Sequence, residues 1–179
     1  MSRQQTRLKV FAAAIELMAE QGYTATTVEA IAERAGVAKG TVFYNFGSKE
    51  RLFAQLLDYG IDLLAQAMAE AAPEGLDAVV LAQLRFFARY GPFARVLLGE
   101  MWRTAWQAAV TRLREEAIGV YVQVLRGKVP DAQLGTAATA LFGMVLTVSI
   151  ERAALHPDRP VEQVHATLVD LLHSRVTAS

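Results

Sequence analysis

The side chains with the most readable chemistry lie between residues 26 and 49. Thr26, Thr27, Lys39, Gly40, Thr41, Tyr44, Asn45 and Lys49 supply hydroxyls, a phenol, a carboxamide and two ammonium groups within one short stretch. No convergent acid–base pair accompanies them, so the mixture does not suit catalysis. It suits a polyanion with readable edges. Asn can pair bidentately with adenine, and Thr can reach a base edge or a thymine methyl. Tyr and Lys can donate to phosphates, which fixes register without reading sequence. Gly40 has no side chain, so the backbone there can approach a duplex closely. Lys49 follows Ser48 at the start of a helix, where amide donors, the helix dipole and the ammonium together form a phosphate site. Thr26 and Thr27 could act in the same way from the start of the second helix.

Residues 27–46 read as two short helices around a tight Ala35-Gly36-Val37 turn, the layout of a helix-turn-helix, whose second helix enters the major groove. Thr26-Thr27-Val28-Glu29 matches a capping box, and Val28, Ile31, Ala32 and Ala35 form the apolar stripe behind it. In the third helix, about 38–46, steps of about 100° per residue put Val42, Phe43 and Phe46 on the packed side. Gly40, Thr41, Tyr44 and Asn45 then face outward, while Lys39 falls nearer the packed side with a stem long enough to swing out. A first helix from about Gln4 to Gln21 presents Leu8, Phe11, Ala12, Ile15 and Ala19 as one buried face, with Gly22 as a left-handed cap.

The ordered string Gly22-Tyr23-Thr24-Ala25-Thr26-Thr27-Val28, then Ile31-Ala32, then Ala35 through Glu50, closely resembles the DNA-binding domain of the TetR family of bacterial transcriptional regulators. The resemblance covers about residues 5–57. Ala38 stands where Ser is common in the family, Phe43 where Tyr is frequent, and Asn45 where His is frequent. These departures limit transfer of an operator sequence. The resemblance implies a homodimer on palindromic double-stranded operator DNA, with the chain beyond about residue 55 forming the dimer and binding a small effector.

The rest of the chain is compatible with that expectation. Its 179 residues are 53% hydrophobic and 20% charged with zero formal net charge, which fits an ordered globular protein. Residues 1–55 hold seven basic against five acidic side chains, so the slight positive excess lies with the motif. Periodicity is helical throughout, and Pro and Gly punctuate about nine helices, so the expected class is all-α. The expected division is a helix-turn-helix domain over 1–47 and a helical effector and dimerisation domain over 48–179, linked by a fourth helix over 48–71. Phe86, Phe87, Tyr90, Phe93, Met101, Trp102, Trp106, Tyr121 and Phe142 are the candidate pocket residues, although such side chains at helical spacing are as a rule core. They favour an apolar effector, with Gln83, Glu100, Arg103, Thr147, Glu151 and Arg152 as candidate polar handles.

The span Ala132–Ile150 carries no charge and reads as a helix buried on most sides within protein rather than in a bilayer. Its small residues permit close helix approach, so Gly135, Thr139 and Gly143, with Val161, Val164, Leu168, Leu171 and Leu172 on the last helix, are the candidate dimer seam. The N-terminus lacks the apolar core of a signal peptide, and a cytoplasmic location is expected. With no cysteine, neither a disulfide nor a thiolate metal site can form, and no two of the three histidines stand four apart. No cofactor, metal or catalytic residue is expected. A ligand-relieved repressor is the leading reading. An effector-independent regulator or an activator is the alternative, and a helical small-molecule-binding protein or enzyme is the remote one.

Overall fold

The computed structural model describes residues 2–100 and 106–176, and leaves aside the side chains of Glu100 and of 174–176. Helix α1, Arg3–Ala25, opens on a reciprocal cap. Gln5 N donates to Ser2 Oγ at 3.2 Å, and Ser2 N donates to Gln5 Oε1 at 2.9 Å. Gly22 does not close this helix as a left-handed cap. At φ 80 and ψ 165 it kinks the chain, which then makes one further turn to Ala25. Helix α2, Val28–Ala35, is capped by Thr27, whose Oγ1 accepts from Ala30 N at 3.1 Å. The expected capping box does not form, because with Thr27 as the cap the third helical position is Ala30, and Glu29 pairs with Lys39 instead. Gly36, at φ 65 and ψ 39, makes the left-handed turn that only Gly adopts cheaply. Helix α3, Lys39–Phe46, starts at Ala38 without a side-chain cap. Helix α4, Lys49–Ala71, is capped by Ser48, which accepts from Arg51 N at 3.2 Å.

Helix α1 has two apolar faces, not one. Val10, Ala13, Ala14, Leu17 and Met18 are buried in one core with Ile31, Val42 and Phe46. The face expected from periodicity, Leu8, Phe11, Ala12 and Ile15, looks instead onto α4 and the chain beyond it. A single stripe is what a helix on the edge of one core needs. Here α1 lies between α2 on one side and, on the other, α4 and the body of helices behind it.

That body consists of α5 (Leu76–Arg89), α6 (Gly91–Glu100), α7 (residues 107–125), α8 (Asp131–Leu155) and α9 (Val161–Val176). This makes nine helices and no β-strand among the described residues, an all-α fold. The middle of α7, Leu113–Ile118, is wound as a π-helix. Helix α5 packs on α4, α8 and α9. Its Gln83 is fully buried, so it is no pocket handle. Tyr121 of α7 donates to Gln83 Oε1 at 2.6 Å, and Gln83 Nε2 donates to the Phe142 carbonyl of α8 at 3.1 Å. Burial pushes the Tyr121 phenol well above its ordinary pKa, so it stays a donor. Between α4 and α7, Arg112 reaches Asp58 and Glu116 at 3.0 Å each and also pairs with Asp62.

Two expectations about the last helices change. Helix α8 is long and apolar enough to cross a membrane, yet only one face is buried. Leu134, Ala138, Leu141, Val145 and Ser149 turn inward, whereas Gly135, Thr136, Thr139, Ala140 and Thr147 are exposed. In α9, Val164 and Leu168 belong to the chain's own core, and the helix packs against α5. An Arg85–Glu162 ion pair at 3.2 Å and a His165 ring nitrogen 2.8 Å from the Asp77 carbonyl hold it there.

Candidate nucleic-acid interface

Helix α3 buries Val42 and Phe46 and turns its other side outward. Tyr44 is 81% exposed, and Gly40 is exposed beside it. Phe43 does not pack inward as expected. It is 44% exposed, with the Lys39 ammonium 5.7 Å from its ring centroid. Lys39 itself is exposed and paired with Glu29. Thr41 and Asn45 are half-buried. The Asn45 carboxamide turns back along the helix, Nδ2 donating to the Thr41 carbonyl at 2.8 Å, while Oδ1 is buried with no partner. The amide is thus held by its own helix and does not project as a free reading group.

Two expected phosphate ligands have other work. Thr26 is fully buried, and its hydroxyl donates to the Gly22 carbonyl at 2.8 Å, which stabilises the kink that ends α1. Lys49 is half-buried, and its ammonium donates to the carbonyls of Tyr23 at 3.0 Å and Thr26 at 2.8 Å. It also lies 4.2 Å from the Tyr23 ring centroid. The reason lies in the end of α1: its last carbonyls have no intrahelical partner, and a cation there complements the helix dipole. Thr27 alone of the two threonines is exposed.

Sequence reading missed Tyr23 as a joint. Its ring meets Phe53 of α4 edge-on at 4.7 Å and Trp106, which precedes α7, at 5.2 Å. Its hydroxyl donates to Glu50 at 3.1 Å. The Glu50 carboxyl is held below the usual range by its own backbone amide, then by Ser48 and Tyr23. The one available signal was an aromatic residue directly after Gly22.

Behind this joint lie two cavities. The larger, about 830 Å³, is a half-open cleft between α6, α7 and α8. Leu97, Val110, Leu113, Ile118, Phe142 and Leu146 make its apolar wall, and Arg114, Thr136, Thr139 and Thr147 its polar edge. The smaller, about 430 Å³, lies where α1, α4, α5 and α6 meet.

Residues 10–56, from within α1 to the first turns of α4, match the family model for bacterial regulatory proteins of the tetR family. Over these residues the chain carries the DNA-binding domain of TetR-family transcriptional regulators. It is 27% identical over 169 residues to the HTH-type transcriptional activator FasR of Mycolicibacterium smegmatis, covering 90% of this chain and 77% of that one. It is 25% identical over 167 residues to the HTH-type transcriptional repressor AcnR of Corynebacterium glutamicum, covering 93% and 78%. Among solved structures, a TetR-like transcriptional regulator from Rhodococcus sp. RHA1 superposes over 100% of both chains with a TM-score of 0.81 at 21% identity, which shows a shared fold. These relatives are regulators, not enzymes.

Beyond this domain the expected pocket aromatics separate. Of those named from sequence, only Phe142 lines the larger cleft. Phe86, Tyr90 and Phe93 line the smaller cavity, while Phe87 and Tyr121 are buried core. Trp106 is buried in the joint with Tyr23 and Phe53. Met101, Trp102 and the handle Arg103 lie outside the described residues, as does the side chain of Glu100. Of the other handles, Thr147 edges the cleft. The Arg152 guanidinium instead donates to the Pro157 and Arg159 carbonyls at 3.3 and 3.0 Å, and Glu151 lies 3.3 Å from His156. Gly135, Thr139 and Gly143, named for the dimer seam, also line the larger cleft. Val161 and Leu172 are half-buried and Leu171 is exposed.

Proposed function

We propose that the chain is a homodimeric repressor whose hold on a palindromic operator is released by an apolar effector bound in the larger cleft. The observation that carries this reading is the joint at Trp106. Val110 lines the cleft one helical turn beyond Trp106, and Trp106 packs on Tyr23 at the end of α1. An effector that shifts the start of α7 therefore pushes on the reading domain through a buried ring. Helix α4 is the second lever, since it joins α3 to α7 through Arg112. The aliphatic wall, with Arg114 and three threonines at its edge, suits a long apolar chain ending in an anion.

On DNA, α3 enters the major groove, with Tyr44, Gly40 and Thr41 toward the duplex and Thr27 and Lys39 toward its backbone. Lys39 must exchange its exposed Glu29 partner for phosphate, which costs little because exposed ion pairs are weak. The second copy lies across the exposed, uncharged face of α8 and the outer face of α9 around Leu171. The functional division follows α4, with residues 1–47 reading DNA and 48–179 binding effector and partner, in the cytoplasm where the operator is.

The test begins with selection of an operator from randomised duplex DNA. Its affinity is then measured with and without laurate, an apolar chain with an anionic end. Laurate should weaken operator binding, and operator should weaken laurate binding by the same factor. Equal laurate affinity on free and operator-bound protein would exclude the mechanism. A monomer by mass measurement, on and off DNA, would exclude the dimer.

A further inference from the structure

The smaller cavity is a separate feature with its own chemistry. Its walls are aromatic where the larger cleft is aliphatic: Phe11 of α1, Tyr59 of α4, Phe86 of α5, Tyr90, and Phe93 of α6 surround it. The rings pack on one another, Phe11–Tyr59 at 5.6 Å, Phe86–Tyr90 at 4.8 Å and Phe86–Phe93 at 6.1 Å between centroids. Gly60 makes this packing possible, because a Cβ there would overlap the Phe93 ring. Two large apolar side chains of the lining, Leu8 and Tyr59, remain 40% and 38% exposed, so the cavity leaves apolar surface uncovered.

Its charges are unequal. Glu16 and Arg89 are the ionised groups of the lining. Glu16 faces the Arg34 guanidinium at 3.5 Å, so its charge is already opposed. Arg89 lies with its guanidinium carbon 5.3 Å from the Tyr90 ring centroid, a cation–π contact. An aromatic box with one stacked guanidinium favours a flat anion, which can lie against the rings and accept from Arg89. At about 430 Å³ the space fits a compound of two to three rings.

From this we infer that the junction of α1, α4, α5 and α6 is a second ligand site, distinct from the effector cleft, that takes small aromatic carboxylates or sulfonates. A ligand there touches the reading domain and the body behind it at once. The inference does not depend on the larger cleft being an effector site.

Anilinonaphthalene sulfonate and its uncharged relative phenylnaphthylamine are suitable probes, titrated by fluorescence into full-length protein. The background substitution Gly135→Leu places a bulky side chain in the larger cleft, where nothing lies within 4 Å of an added Cβ. In that background the sulfonate should still bind. Adding Arg89→Gln should weaken it about tenfold, the scale of one charge-assisted hydrogen bond. Phenylnaphthylamine affinity should not change. Adding Ala12→Phe, at an exposed position of the lining, should abolish binding of both probes. Arg89→Gln is an exposed change that keeps the fold, so its result stands even if Ala12→Phe unfolds the chain. Equal sulfonate affinity with and without Arg89, or loss of all binding on Gly135→Leu alone, would overturn the inference.

Discussion

Replacing Lys49 with Met separates two roles that sequence alone cannot distinguish. As a phosphate ligand, Lys49 would contribute to DNA binding and little to folding. In the structure its ammonium instead bridges the Tyr23 and Thr26 carbonyls at 3.0 and 2.8 Å over the Tyr23 ring. Hydrogen bonds to a charged group contribute about 1.5–3 kcal/mol each, and a cation over a ring adds about 0.5–1. Water can replace part of this at a half-buried site, so Lys49→Met should cost about 2–3 kcal/mol. For a chain of this size that is a fall in Tm of roughly 5–10 °C. Thermal melts measure it directly. The second measurement is the salt dependence of operator binding, because each lost phosphate contact lowers the log–log slope by about 0.9. The clamp predicts a lower Tm and an unchanged slope. An unchanged Tm with a slope lower by about one would refute it and restore Lys49 to the DNA backbone.

Tyr121→Phe should destabilise by about 1–3 kcal/mol in urea titrations, because it leaves Gln83 Oε1 buried without a donor. Tyr44→Ala should lower operator affinity at least tenfold while leaving the melt unchanged, since an 81% exposed ring contributes little to the core. The carboxyls of Glu20, Glu29, Glu50 and Glu162 are all held below the ordinary value of 4.5, chiefly by bonds to Arg34, to Lys39 and, for the last two, to their own backbone amides. A depressed folded pKa gives stability that is complete above about pH 4.5 and is lost as pH falls through the lower folded values. Circular dichroism melts should therefore show Tm falling below about pH 4.5 and no change from these groups above it. A Tm that rises on acidification would contradict the sign.

The reading domain was legible because its determinants are local. Gly36 at φ 65 and the stripe Val28, Ile31, Ala32 lie within a few residues of one another. Errors began where a distant element decides. Thr26 and Thr27 offer the same hydroxyl, and it is the Gly22 kink that selects Thr27 as cap and buries Thr26. Helix α1 was read as one-faced because periodicity reports a stripe without saying how many partners flank the helix. In α3, only two turns long, angle alone could not tell that Phe43 would be left outside and Asn45 drawn back. The cavities were least legible. Large aromatic residues fill space, whereas the larger cleft is open where Gly135, Thr139 and Ala140 leave space unfilled. Arg114 and Thr136, at its edge, carried no signal beyond ordinary amphipathicity.

The long-range contacts of Tyr23, Lys49 and Trp106 converge on one place. The end of α1 meets α4 through Phe53, α7 through Trp106 and the cap of α4 through Lys49, with Tyr23 in contact with all three. A lever confined to α4 would have to tilt a helix held to α7 by Arg112. The Tyr23 joint offers a shorter route, because close-packed rings cannot absorb a displacement without passing it on. The energies are compatible with such a role. A hundredfold loss of operator affinity requires about 2.7 kcal/mol. That is comparable with what Lys49 contributes at the joint, and well below the roughly 5–15 kcal/mol that holds a domain folded. On the proposed mechanism an effector would shift the joint without unfolding the reading domain, which is the condition a reversible switch must meet.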